Sequence, residues 1–178
     1  MEGANFRGIC EVALHVKDML DGLRMPSYPK TTGSRGIHVY VPIRRGPVQK
    51  EVWGVAKTLA FDLAARFPKI ITAEYRVAKR PQGRVLVDYN QNAWGRTLAS
   101  IYSVRPTSSA TVSTPISWEE VQEGITIEQF RLDNIRARLN ERGDLWKALL
   151  GPERYELGPV ISALKVSRPR SKRQSSAA

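Results

Sequence analysis

The chain has 178 residues and a mass of 20.0 kDa, enough for one hydrophobic core. Its 28 Lys and Arg outweigh 17 Asp and Glu, and the formal net charge of +11 favours polyanions, nucleic acid foremost, as partners. The lone cysteine, Cys10, excludes an internal disulfide and a Cys-rich zinc site, the two histidines are too few for a His-dominated metal centre, and no apolar run reaches the roughly 18 residues that span a bilayer.

In chain order, residues 6–24 predict an amphipathic helix, with Ile9, Val12, Ala13, Val16, Met19, Leu20 and Leu23 at spacings of three and four. Pro26 and Pro29 end it. The stretch "KTTGSRGIHVYVPI" follows: a small-residue turn with two glycines, then alternation from Ile37 to Ile43 that predicts a strand with His38 opposite its main apolar set. Gly46-Pro47 opens a second predicted helix, lined by Val48, Val52, Val55, Leu59, Leu63 and Phe67 and closed by Pro68. "RVLVDY" (84–89) and "TLASIYSV" (97–104) predict short strands around the polar turn "NQNAWG". Ser117 and Glu120 form a capping-box pattern for a short helix, and a last helix is expected over 127–139. Residues 165–178, "KVSRPRSKRQSSAA", read as a basic disordered tail that touches phosphates non-specifically. One α+β domain over residues 1–164 is expected, a mixed or antiparallel sheet backed by helices.

Five groups of residues could carry chemistry. The turn Thr32, Gly33, Ser34, Arg35 and Gly36, with His38 on the next strand, offers hydroxyls, backbone N–H groups and an imidazole to phosphate oxygens; it also reads as a plain chain reversal. Asp88, ending a strand, suits a hard cation such as Mg²⁺ or Mn²⁺, or caps the following turn. Lys79, Arg80, Arg84, Arg96 and Arg105, with Gln91 and Asn92 nearby, suit a nucleotide triphosphate or a solvated basic face. Trp94 is the tryptophan best placed to expose a stacking ring. Arg170, Lys172 and Arg173 extend the basic surface into the tail. Cys10 and His15 read as structural.

Three segments together, "KTTGSRGIHVYVPI", "GRVLVDYNQNAWGRTLASIYSVRP" and "VSTPISWEEV", resemble the polymerase domain of bacterial DNA ligase D, in the archaeo-eukaryotic primase superfamily. The resemblance runs from about Phe6 to Trp146. It implies a primase-polymerase palm, a nucleotidyltransferase of DNA double-strand break repair by non-homologous end joining, working with an ATP-dependent ligase. It places Thr32, Gly33, Ser34, Arg35 and His38 on the nucleotide triphosphate, Asp88 on a Mn²⁺ or Mg²⁺ ion, and Gln91, Arg96 and Arg105 on nucleotide or primer-template phosphates. Ser34 and Arg35 depart mildly from the family's turn.

One departure is larger. The family carries two aspartates one residue apart on a strand ahead of the first helix, and no Asp-x-Asp occurs in this sequence. Two-metal nucleotidyl transfer needs several carboxylates around ions roughly 3.5–4 Å apart. The sequence therefore leaves open an incomplete enzyme, half of a split one that pairs with an upstream half-domain, and a non-catalytic nucleic-acid-binding module. Expected partners are DNA, NTP or dNTP, and a repair ligase or end-binding protein. A cytoplasmic, nucleoid-associated location without membrane contact is expected.

Overall fold

The structure, a computed structural model, describes residues 5–164. Asn5 caps the first helix, α1 (Phe6–Gly22), its Oδ1 accepting from Gly8 N–H at 2.9 Å. The apolar stripe of α1 places Cys10, Val12 and Leu20 in three different core clusters, so α1 is the central element of the fold. His15 stacks on Phe67 at 3.9 Å between ring centroids, and Cys10 is buried with Sγ donating to Ile125 O; burial raises the thiol pKa, and both residues are structural.

After α1 the chain makes a hairpin. Strand β1 (Tyr28–Thr31) pairs antiparallel with β2 (Ile37–Tyr40), Lys30 opposite His38 and Thr31 opposite Ile37. The sequence reading found β2 and missed β1, because Pro29 looks like a breaker. Proline is tolerated here because the 29–39 pair needs no N–H from residue 29 on that side. Helix α2 (Gln49–Arg66) starts two residues later than its Gly-Pro signal; Glu51 accepts from Val48 N–H at 2.9 Å, and Val48 is exposed instead of lining the helix.

Beyond α2 the elements shorten. Strand β3 (Ile71–Thr72) pairs parallel with β4 (Val85–Leu86), forming a second two-stranded sheet. The strand expected over 97–104 is not formed: Tyr102 has φ +60, which breaks the extended run, and only Val104 bridges Val112. Ser117 and Glu120 do form the expected capping box on α3 (Trp118–Glu123). The helix expected over 127–139 is broken into a 3-10 turn, Ile127–Gln129, and α4 (Ile135–Arg142), because Phe130 turns into the core and its carbonyl accepts from Val112 N–H. A last helix, α5 (Gly158–Ala163), unread in the sequence, buries Val160 and Ile161 against Leu20, Met25 and Val55. No helix among the described residues is long and apolar enough to cross a membrane. Arg170, Lys172 and Arg173 lie outside the described residues.

Candidate functional site

The site begins at the hairpin turn. Thr32 Oγ1 accepts from the N–H groups of Ser34, Arg35 and Gly36 at 3.1, 3.2 and 3.1 Å, and Thr32 N–H donates to Gly36 O. This settles one sequence-level expectation differently: those three backbone N–H groups are engaged within the turn. What the turn offers a ligand is side chains, the Ser34 hydroxyl and the exposed Arg35 guanidinium.

Gly33 answers to two constraints at once. Its φ is +66, and a Cβ there would stand 2.6 Å from Arg105 Cγ, 2.7 Å from Ser113 N and 2.8 Å from Val112 C. The turn is therefore pressed against the 105–113 segment, where Gly33 O accepts from Thr111 Oγ1 at 2.6 Å. That contact brings Arg105 to the hairpin from 72 residues beyond Gly33 in the chain.

Cross-strand pairing supplies a residue that sequence reasoning missed. Lys30 faces His38 across β1 and β2 and is fully buried. Its ammonium donates to Ala99 O at 2.8 Å and to Ser113 Oγ, both neutral oxygens. Burial and the neighbouring Arg105 lower its pKa to about 8. Recognising the hairpin would have found it: Lys30 and His38 flank the turn on paired strands and must share a face.

His38 is half-buried, and its Nδ1 is buried without a hydrogen-bond partner; Arg105 Nε is likewise buried and unpartnered. Burial lowers the His38 pKa to about 4, aided by Lys30 and Arg105 and opposed by Asp88. The imidazole is thus neutral at pH 7, held so by two cations and desolvation. Unsatisfied buried nitrogens are costly, so both atoms keep an unused capacity for a hydrogen-bond partner.

Asp88 caps the 3-10 turn Tyr89–Asn92: Oδ1 accepts from Asn90 N–H at 3.0 Å and Oδ2 from Gln91 Nε2 at 2.8 Å. It also lines the same groove as Thr32, Ser34, Arg35, His38, Arg80, Arg84 and Gln91. Arg80 is fixed by donating to the Glu74 and Tyr75 carbonyls. Lys79 and Arg96 are exposed and do not line the groove; Arg96 donates to Tyr75 Oη and lies over that ring. Trp94 is 87% exposed, whereas Trp53, Trp118 and Trp146 each donate their indole N–H within the fold.

Among the described residues, no group of three or more His, Cys, Asp or Glu could hold a metal ion. Asp88 is one carboxylate with both oxygens already accepting hydrogen bonds, so the donors present do not make a two-ion site.

Most of the chain is similar to known proteins. A family model described as the LigD primase-polymerase domain matches residues 1–146. The multifunctional non-homologous end joining protein LigD of Mycolicibacterium smegmatis is 33% identical over 144 residues, 81% of this chain and 19% of that protein. The bifunctional non-homologous end joining protein LigD of Bacillus subtilis is 29% identical over 157 residues, 87% of this chain and 26% of that protein. The polymerase domain of Mycobacterium tuberculosis ligase D, solved in complex with DNA, superposes with a TM-score of 0.76 at 30% identity. That match covers 83% of this chain and 51% of the solved one. The chain thus spans a minor part of the curated relatives and half of the solved domain.

Proposed function

Because this chain belongs to the LigD primase-polymerase family, we propose that residues 5–164 are the part of a DNA end-joining polymerase palm that grips the triphosphate of an incoming nucleotide. The observation that carries this reading is the pair of buried, unpartnered nitrogens, His38 Nδ1 and Arg105 Nε, set beside the buried ammonium of Lys30. An anionic phosphate oxygen supplies the missing acceptor for both. Its charge also offsets the mutual repulsion of Lys30 and Arg105 and draws a proton onto His38. Thr32 orders the turn, Ser34 and Arg35 approach the phosphates from it, and Gln91 holds Asp88 in place.

Nucleotide addition of the family's kind draws on Mn²⁺ or Mg²⁺ to activate the attacking oxygen and neutralise the leaving phosphate. In this chain Asp88 is the residue to contribute to such an ion, and further carboxylates come from outside residues 5–164. Exposed Lys79 and Arg96, half-buried Arg84, and Arg170, Lys172 and Arg173 beyond the described residues, take up DNA phosphates. Domain and tail then divide at about residue 164, where α5 closes the core. Partners of this reading are broken DNA ends, NTP or dNTP, and a ligase or end-binding protein.

Titrating ATP into the chain tests the triphosphate site. His38→Ala and Arg105→Ala are each expected to weaken binding at least tenfold, with Arg131→Ala, exposed and paired to Asp133 elsewhere, leaving it unchanged. Equal affinity across all four proteins would remove the site.

A second reading rests on Trp94, 87% exposed beside exposed Arg96: a nucleic-acid-binding module whose nucleotide pocket is vestigial. It expects salt-sensitive DNA binding that Asp88→Ala leaves intact, and a weak salt dependence counts against it.

A further inference from the structure

Residues 99–113 form an irregular hairpin that carries Arg105, and its shape is not self-supporting. Its outgoing limb meets its return limb through Tyr102 N–H to Ser113 O at 2.7 Å, Ser113 N–H to Ser103 O at 2.9 Å and Arg105 N–H to Thr111 O at 2.7 Å. Tyr102 on the outgoing limb has φ +60 and Ala110 at the tip has φ +44, a region that residues with a Cβ disfavour. Backbone of that kind persists where surrounding contacts over-determine it. Here those contacts come from β1.

The return limb is stitched to β1 along Thr31. Thr31 N–H donates to Thr114 O at 2.8 Å, Thr31 Oγ1 donates to Val112 O at 3.2 Å, and Thr31 O accepts from Ser113 Oγ at 3.0 Å. The outgoing limb is reached by Lys30. From the strand position just before Thr31, its ammonium donates to Ala99 O at 2.8 Å, where the chain enters the hairpin, and to Ser113 Oγ on the return limb. One fully buried group with three donors thus ties both limbs to the same strand. A cation is costly at this place: both acceptors are neutral, and the charge that acts on it from nearby, Arg105, has the same sign. An apolar side chain of similar length would fill the space without that cost, but it would hold neither limb.

We infer that Lys30 is a positioning residue for Arg105: its ammonium holds the outgoing limb at Ala99 to the return limb at Ser113, which keeps the hairpin closed and sets the Arg105 side chain against the Gly33 turn. Lys30 itself does not meet the ligand, since its side chain is shut in and its donors are directed to Ala99 and Ser113. The inference deepens the triphosphate reading and rests on it for the effect on nucleotide affinity; the placement of Arg105 is measured without a nucleotide.

Proton exchange in the full 178-residue chain, labelled with ¹⁵N and followed by NMR, is the first readout. In the native chain the Lys30 ammonium protons are expected to exchange at least tenfold more slowly than those of exposed Lys79; equal rates overturn the inference without any variant. Lys30→Met keeps an unbranched side chain of similar length and loses the donors. In it, exchange of Arg105 Nε–H and of the Tyr102 and Arg105 amides is expected to accelerate at least tenfold, while the Leu63 and Val121 amides stay within twofold. Acceleration at all of these positions alike means a general stability role, and no acceleration means that Arg105 holds its place unaided; either result overturns the inference. Ser113→Ala, which removes one of the two acceptors, is read in the same way if K30M fails to fold.

ATP affinity in a double-mutant cycle is the second readout. Lys30→Met is expected to weaken binding at least tenfold in the native background and less than threefold in the Arg105→Ala background, with Arg131→Ala unchanged. Losses of equal size in the two backgrounds make Lys30 an independent charge and overturn the inference. Should Arg105→Ala bind ATP as tightly as the native chain, the triphosphate reading fails, and exchange of Arg105 Nε–H decides the positioning role by itself.

Discussion

At the scale of single residues, the electrostatics around His38 are set by burial and by Lys30, Asp88 and Arg105. His38 carries a pKa near 4 because burial, Lys30 and Arg105 oppose its charged form. A folded-state pKa below the unfolded value of 6.5 means that the unfolded chain binds the extra proton between those limits. The stability associated with neutral His38 is thus present above about pH 6.5 and lost as the pH falls through 4. Imidazole ¹⁵N NMR is expected to show His38 neutral at pH 6 in the free chain and to move its midpoint upward when ATP is added; a midpoint near 6.5 without ligand would contradict the burial argument. Lys30 follows the same sign on the alkaline side. Its pKa of about 8 lies below the ordinary 10.5, so stability rises with pH between those values. Denaturant midpoints at pH 8 and 10 are expected to increase for the native chain and to stay level for Lys30→Met. The sequence displayed His38 through its alternating strand, but Lys30 looked like any surface lysine, because burial is decided by a register that no local pattern prints.

At the scale of elements, two contacts hold the hairpin and the helical face in place. The turn is fastened by Thr32 Oγ1 and by the close approach of Gly33 to Arg105 and Ser113. Thr32→Val removes the acceptor of three N–H groups and is expected to lower stability by roughly 1–3 kcal/mol. Gly33→Ala combines a positive φ with overlap on backbone atoms, and a loss of roughly 2 kcal/mol or more is expected by urea unfolding. The second contact is the forked pair Arg138–Glu120, at 2.6 and 2.7 Å and largely buried, with Arg138 also donating to Pro115 O. Burial alone would raise the Glu120 carboxyl, but hydrogen bonds from Arg138 and the Ser117 N–H hold it below its usual 4.5. Arg138→Ala is expected to cost roughly 1.5–3 kcal/mol at pH 7, and the difference from the native chain to narrow as the pH falls below 4.5. Capping made α3 legible in advance, since Ser117 and Glu120 act within one turn. The break between Ile127 and Ile135 was not, since a periodic apolar pattern does not reveal that Phe130 is claimed by Val112 across the core.

At the scale of the whole molecule, the +11 charge is a property of composition and predicts salt-sensitive DNA binding. Removing residues 165–178 takes away Lys165, Arg168, Arg170, Lys172 and Arg173 and is expected to flatten the slope of log affinity against log salt by roughly 2–4, read by anisotropy on a duplex with a broken end. An unchanged slope would assign the phosphate contacts to the rest of the chain. By itself the sequence determined what local chemistry can determine: two long amphipathic helices, the strand bearing His38, the α3 cap, the absence of an Asp-x-Asp pair, and, through three short segments, the family. Tertiary structure decided what depends on distant segments meeting. It buried Lys30 opposite His38, brought Arg105 against Gly33, engaged the turn's N–H groups with Thr32, and set residues of β2 and β4, from two separate sheets, along one groove. The reason is physical: periodicity and capping act within a few residues, whereas burial, electrostatic coupling and sheet edges are set by chain segments tens of residues apart.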